Sequence, residues 1–151
     1  MSEFFQEAVE TASLDEIRSL QTNRLKKIVR HVYENNEVSR RRMEQRGVGP
    51  NDIRSVEDVR KLPLMDKELL RENYPVGLSC RPAGEFIEMH MSSGSTGTPI
   101  VMPYTRADLQ QWAECMARCY FMAGARPGDP VQITPSFGLF NGGFGMYHGA
   151  R

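Results

Sequence analysis

Residues 91–99 read Met-Ser-Ser-Gly-Ser-Thr-Gly-Thr-Pro. Ser92, Ser93, Ser95, Thr96 and Thr98 bring five hydroxyls to this stretch, and its backbone adds a run of N–H donors. Gly94 and Gly97 lack a Cβ, so the chain can turn sharply and approach a ligand closely. Hydroxyls and backbone amides together suit an anion with several oxygens, above all a polyphosphate. A Walker loop needs four residues between its glycines and a Lys-Ser/Thr after the second, whereas Ser95 and Thr96 alone separate Gly94 from Gly97 here. The Gly-x-Gly-x-x-Gly dinucleotide pattern is missing from this loop as well. Composition alone also fits an ordinary polar surface loop.

A second stretch combines glycine with aromatics. Residues 137–149 hold five glycines (Gly138, Gly142, Gly143, Gly145, Gly149) and four aromatics (Phe137, Phe140, Phe144, Tyr147). Such a mixture can build a flat-walled pocket for a planar ligand. It can equally be the start of a glycine-rich helix that packs tightly. His148 is the one histidine in this stretch, and a lone histidine more often serves structure than catalysis. No residue is assigned a catalytic role.

Other reactive residue types carry less. The three cysteines follow no zinc or redox spacing, and Cys115 and Cys119 are expected as half-buried apolar residues on a helix. No metal site is expected. Arg40-Arg41-Arg42 reads as a solvated helix face, since Lys plus Arg equals Asp plus Glu at 19 each and no aromatics interleave. That balance argues against a nucleic-acid partner. No apolar run reaches membrane-spanning length and the N-terminus has no signal-peptide pattern, so a soluble, cytoplasmic protein is expected.

The elements that must position these stretches follow from periodicity and caps. Ser13 and Glu16 form a capping box ahead of a helix over 14–34. A shorter helix runs through Gln45, a short capped helix spans Ser55–Val59, and Asp66 caps a helix from Lys67 to about Asn73. Phe86 to Met91 reads as a strand, so the hydroxyl loop begins where a strand ends, and Ile100-Val101-Met102 returns from it as a second strand. Thr105 and Asp108 form another box before a helix over 106–122, whose apolar stripe is Leu109, Trp112, Ala113, Met116 and Tyr120. Gly124 stops that helix. Val131–Thr134 reads as a further strand. The fold class is α/β: a mainly helical region over 1–84, then strands and a helix around the loop over 85–151. Arg151 follows an apolar, glycine-rich segment that makes a poor terminus, so the chain reads as the front part of a longer protein.

Ser92-Ser93-Gly94-Ser95-Thr96-Gly97-Thr98-Pro99 resembles the phosphate-binding loop of the adenylate-forming superfamily. Leu62-Pro63-Leu64, the run Asp66 to Pro75, Tyr104-Thr105 with Asp108-Leu109 and Trp112-Ala113, Gly128-Asp129, and Gly138 to Gly143 resemble the phenylacetate–CoA ligases. The resemblance covers nearly the whole chain from about Leu14. It implies the start of the large domain of an adenylate-forming enzyme, with ATP, Mg2+ and coenzyme A as companions of an aryl acid. An acyl-adenylate and pyrophosphate would form first, and the CoA thiol would then displace AMP. Residues 92–98 would bind the phosphates. Phe137, Gly138, Phe140, Gly142 and Gly143 would line the acid pocket, Phe140 foremost.

Two departures stand out: Thr98 occupies a position where many relatives carry Lys, and Pro135 replaces the first aromatic of the pocket segment. The family's adenosine- and ribose-binding motifs, its hinge and its distal catalytic lysine have no counterpart within 151 residues. The polypeptide alone is therefore expected to be inactive. Two alternatives remain open: a non-catalytic assembly module, which would expose an apolar patch around 137–149 and self-associate, and an adenylate former for another acid.

Overall fold

The structure, a computed structural model, describes residues 3–92, 97–139 and 141–151. After a single turn, α1 (Glu7–Glu10), the long helix α2 (Leu14–Asn35) begins at the expected capping box. The Ser13 backbone N–H donates to Glu16 Oε2 at 2.8 Å, and the Glu16 N–H donates to Ser13 Oγ at 3.3 Å. These bonds satisfy two donors that a helix start would otherwise leave orphaned.

Asn36 ends α2 and caps α3 (Glu37–Gln45), its Oδ1 accepting from the Ser39 N–H at 2.9 Å. The same buried side chain donates through Nδ2 to the carbonyls of Gly77 at 2.9 Å and Ser79 at 3.3 Å. One amide thus joins the helical region to the turn after α4 (Lys67–Glu72), which starts where Asp66 Oδ1 accepts from the Leu69 N–H. Val29 of α2, Met43 of α3 and Ile53 form the buried core, with Leu25, Val32, Tyr33, Val48 and Leu62 packed around it. The short helix expected at Ser55–Val59 is a 3-10 segment, Val56–Lys61, still capped through Asp58.

Strands β1 (Phe86–Met91) and β2 (Val101–Thr105) form an antiparallel hairpin, with His90 opposite Met102 and Met91 opposite Val101. β2 begins one residue later than expected and runs straight into α5 (Arg106–Met122). The Thr105 backbone and hydroxyl both donate to Asp108 Oδ2, at 2.8 and 2.7 Å, and Thr105 Oγ1 accepts from the Asp108 N–H. Gly124 ends α5 with φ +96°, a left-handed conformation that side chains resist.

Two expectations are corrected and one open reading is decided. Val131–Thr134 forms no strand: only β1 and β2 pair among the described residues, and an extended segment without a partner leaves its backbone groups unmatched. Of the two readings of the glycine-aromatic stretch, residues 141–150 take the tightly packed helix, α6 (Asn141–Ala150), which lies along α5. Cys115 and Cys119 are exposed on α5 rather than half-buried. The start of the chain also reaches α5, where Arg118 pairs with Glu10 at 3.6 Å and Phe5 tilts against Phe121. No helix among the described residues is long and apolar enough to cross a membrane.

Candidate functional site

The hairpin fixes the mouth of the hydroxyl loop. Ser92 N–H donates to the Ile100 carbonyl at 3.0 Å, and the Ile100 N–H donates to Ser92 Oγ at 2.9 Å. The Ser92 hydroxyl therefore clamps the neck of the loop by accepting this bond, and its own proton stays available for an anion. On the returning arm Gly97 has φ +135°, open to glycine and strained for other residues. Arg71, from the last turn of α4, crosses to this arm: its Nε donates to the Thr98 carbonyl at 3.2 Å. Its Cζ and Nη2 would sit 3.8 Å from a Cβ built at Gly97. Ser93, Gly94, Ser95 and Thr96, also assigned to the phosphates, lie outside the described residues.

The glycine-aromatic segment meets the loop at the end of β1. The Met91 N–H donates to the Leu139 carbonyl at 2.7 Å, one residue before the loop opens. Phe137 stands edge-on to Phe144, centroids 5.3 Å apart, and to Tyr147 at 6.1 Å, while remaining 52% exposed. Among the described residues, a Cβ at Gly138 would meet nothing within 4 Å. Gly143 is buried, and a Cβ there would come within 2.8 Å of the Ser136 carbonyl oxygen. Its missing side chain lets the start of α6 seat on the 135–136 backbone. Gly142 lies in the first turn of α6, and Phe140 lies outside the described residues.

Behind this segment, β1, α5 and α6 enclose an aromatic cluster. The His90 side chain is nearly buried and meets Tyr104, Trp112 and Phe144 edge-on at 5.0–5.7 Å. Trp112 stacks on Tyr104 at 5.2 Å. Glu88 Oε2 lies 3.1 Å from His90 Nε2 and 3.1 Å from His148 Nε2. One carboxylate oxygen thus ties β1 to the last turn of α6. Burial pushes the Glu88 carboxyl up, but the hydrogen bonds and charges of His148 and His90 outweigh it and hold the group below its ordinary value. Burial, helped by the Asp108 charge, raises the Tyr104 phenol. Among the described residues, the buried His90 Nδ1 has no hydrogen-bond partner.

Sequence reading paired neither Arg71 with the loop nor Glu88 with the histidines. Arg71 lies 27 positions before Thr98, and Glu88 60 before His148. Their local signals were those of a solvated helix residue and a half-buried strand residue. Among the described residues no cluster of three or more His, Cys, Asp or Glu could hold a metal ion. A separate groove of about 450 Å³ runs between Leu70, Val76 and Leu78 and the β2 residues Val101, Pro103 and Tyr104, without reaching 137–143.

No protein-family model matches the chain. Among curated proteins it is 43% identical over 143 residues to the phenylacetate-coenzyme A ligase of Escherichia coli, covering 95% of this chain and 33% of that protein. The ligases of Aromatoleum evansii and Thermus thermophilus match at 44% and 42%, over 96% and 97% of this chain and again 33% of their own length. The chain is a homologue of phenylacetate–CoA ligases. It spans about a third of the length of these relatives.

Solved structures agree on the fold. A 2-hydroxyisobutyryl-CoA ligase, in complex with 2-HIB-AMP and CoA, superposes with TM-score 0.92 at 31% identity, covering 99% of this chain and 32% of that one. The same ligase in its postadenylation state, in complex with 2-HIB-AMP, gives TM-score 0.91 at 30% identity over 99% of this chain and 32% of that one. The chain therefore has the fold of the matching third of an acyl-CoA ligase, the class expected from the loop and its flanking blocks.

Proposed function

We propose that this chain supplies the phosphate loop and part of the acid-binding wall of an ATP-dependent ligase that joins phenylacetate, or a related aryl acid, to coenzyme A. The carboxylate would attack the α-phosphorus of ATP, releasing pyrophosphate, and the CoA thiol would then displace AMP from the acyl-adenylate to give the thioester. The observation that carries this reading is the hydrogen bond from Met91 to Leu139, which brings the loop mouth and the aromatic segment together at one strand end. In-line attack needs reacting atoms about 3–3.5 Å apart, so a phosphate site and an acid site must share a rigid support. Thr98, the backbone donors from Gly97 onward and the hydroxyls of Ser93, Ser95 and Thr96 would stabilise charge on the departing pyrophosphate. Magnesium would enter as the counter-ion of ATP. Such a role fits the use of aromatic acids as nutrients in the cytoplasm, where ATP and CoA are found.

Phe137, Leu139 and Tyr147 are exposed beside the candidate pocket, and a second reading, an assembly module without catalysis, draws on that patch. One experiment separates the two. The chain is mixed with a phenylacetate–CoA ligase lacking its first third, and phenylacetate-dependent ATP–pyrophosphate exchange is measured. The ligase reading expects no exchange from either piece alone and exchange from the mixture. Association without exchange would support the assembly module and overturn the ligase.

A further inference from the structure

The loop from Ser92 to Pro99 contains no Lys or Arg, and Thr98 supplies a hydroxyl rather than a charge. A polyphosphate carries several negative charges, and donors without a cation leave that charge poorly balanced. The structure brings a cation from elsewhere. Arg71 projects from the last turn of α4 onto the returning arm of the loop, its side chain a quarter exposed. Its Nε holds the Thr98 carbonyl at 3.2 Å, and its Nη1 lies 3.4 Å from Glu68 Oε1, one turn back on α4. The guanidinium lies over Gly97 at 3.8 Å from where a Cβ would stand. With φ +135° and no side chain, Gly97 leaves the backbone bare beneath the guanidinium. The bond to the Thr98 carbonyl holds the guanidinium at this arm before any ligand arrives, which lowers the rotamer entropy lost on binding.

We propose that Arg71 is the charge-supplying residue of the phosphate loop. It positions the Gly97–Thr98 arm through the Thr98 carbonyl and places its guanidinium against the terminal phosphates of a nucleoside triphosphate or of pyrophosphate. This rests on the phosphate reading of the loop.

Inorganic tripolyphosphate, without metal, is the probe, and binding to the 151-residue chain is followed by calorimetry and by amide NMR. The unsubstituted chain should bind, with the Gly97 and Thr98 amides and the Arg71 Nε–Hε resonance moving together. R71Q should bind about tenfold more weakly or worse, as expected for loss of a charged hydrogen-bonding partner. R71K, which keeps the charge without the fork, should fall between the two. Raising the salt from about 0.01 M to about 1 M shortens the screening length from about 30 Å to about 3 Å, so the gap between R71Q and the unsubstituted chain should close. A gap indifferent to salt would mean Arg71 is only a brace and would overturn the charge role, as would equal affinity of R71Q. An Arg71 Nε–Hε resonance that stays still while the unsubstituted chain binds would overturn it without any variant. No binding by the unsubstituted chain would overturn the phosphate reading itself, and this inference with it.

Discussion

The packing of α6 on α5 rests on missing side chains, and Gly149→Ala tests it. A Cβ at Gly149 would stand 2.3 Å from Met116 Cβ, 2.9 Å from Met116 C and 3.0 Å from Ala117 N. The first distance is more than an ångström short of ordinary carbon–carbon contact. All three neighbours are backbone atoms or the root of a side chain, so no rotamer change relieves them. The helices must separate. Overpacking of this kind costs about 1–3 kcal/mol. Alanine recovers up to about 1 kcal/mol over glycine inside a helix, and less at the last-but-one position of α6. At roughly 2–4 °C per kcal/mol for a chain of this size, the thermal midpoint should fall by about 5 °C.

Thermal unfolding followed by circular dichroism measures this, with Gly138→Ala as the control. No described residue lies within 4 Å of a Cβ at Gly138, so that variant should stay within about 0.5 kcal/mol of the unsubstituted chain. Gly145→Ala adds a spectroscopic readout. Its Cβ would meet the Trp112 indole at 2.5 Å, and Trp112 is the single tryptophan of the chain, so its emission should shift. A Gly149→Ala protein as stable as the unsubstituted chain, with Gly145→Ala emission unchanged, would refute the close approach of the two helices.

Glu88 makes the fold acid-sensitive: because its folded-state pKa is depressed, its stabilisation is present above the ordinary carboxylate value of about 4.3 and is lost as pH falls below it. Thermal midpoints between about pH 7 and pH 3 should therefore show an acid limb that is flatter in Glu88→Gln; an unchanged limb would show that the two histidines do not hold this carboxylate. Thr105→Ala removes the cap of α5 and should cost about 1 kcal/mol in urea unfolding, because Asp108 loses its reciprocal partner. Gly97→Ala forces a strained φ of +135° and should weaken tripolyphosphate binding while leaving the Val29–Met43–Ile53 core and its urea midpoint nearly untouched; equal binding would mean that the arm needs no glycine.

Local chemistry was legible in the sequence wherever one segment settles its own hydrogen bonds. The boxes Ser13–Glu16 and Thr105–Asp108 and the Asp66 cap mark helix starts because donor and acceptor sit three residues apart. β1 and α5 carry their periods plainly and are found at the expected bounds. Val131–Thr134 misled because β-branched residues signal extended chain, whereas a strand also needs a neighbour. Residues 141–150 read equally as pocket wall or packed helix because glycine lowers helix propensity, and packing on α5 decides for the helix. For the site, the composition of the loop pointed to its chemistry. The Arg71 clasp and the Glu88–His148 tie depend on tertiary folding, which no local spacing encodes.

The two candidate segments share one support. Strand β1 turns Glu88 and His90 toward α5 and α6, and its last residue, Met91, bonds the 137–139 segment. The loop departs from the next residue, with its neck closed by the Ser92–Ile100 pair. A shift of α6 therefore strains both the Glu88–His148 contact and, through the short link to Leu139, the end of β1 that carries the loop. An acid seated against the aromatic wall and a triphosphate seated in the loop would be referenced to the same six-residue strand. Because effective concentration falls steeply with misplacement of the reacting atoms, such a shared reference would serve the proposed reaction directly. The stack of Tyr104 on Trp112 and the carboxylate shared by two histidines hold the strand from which the loop departs and against whose end the 137–139 segment docks.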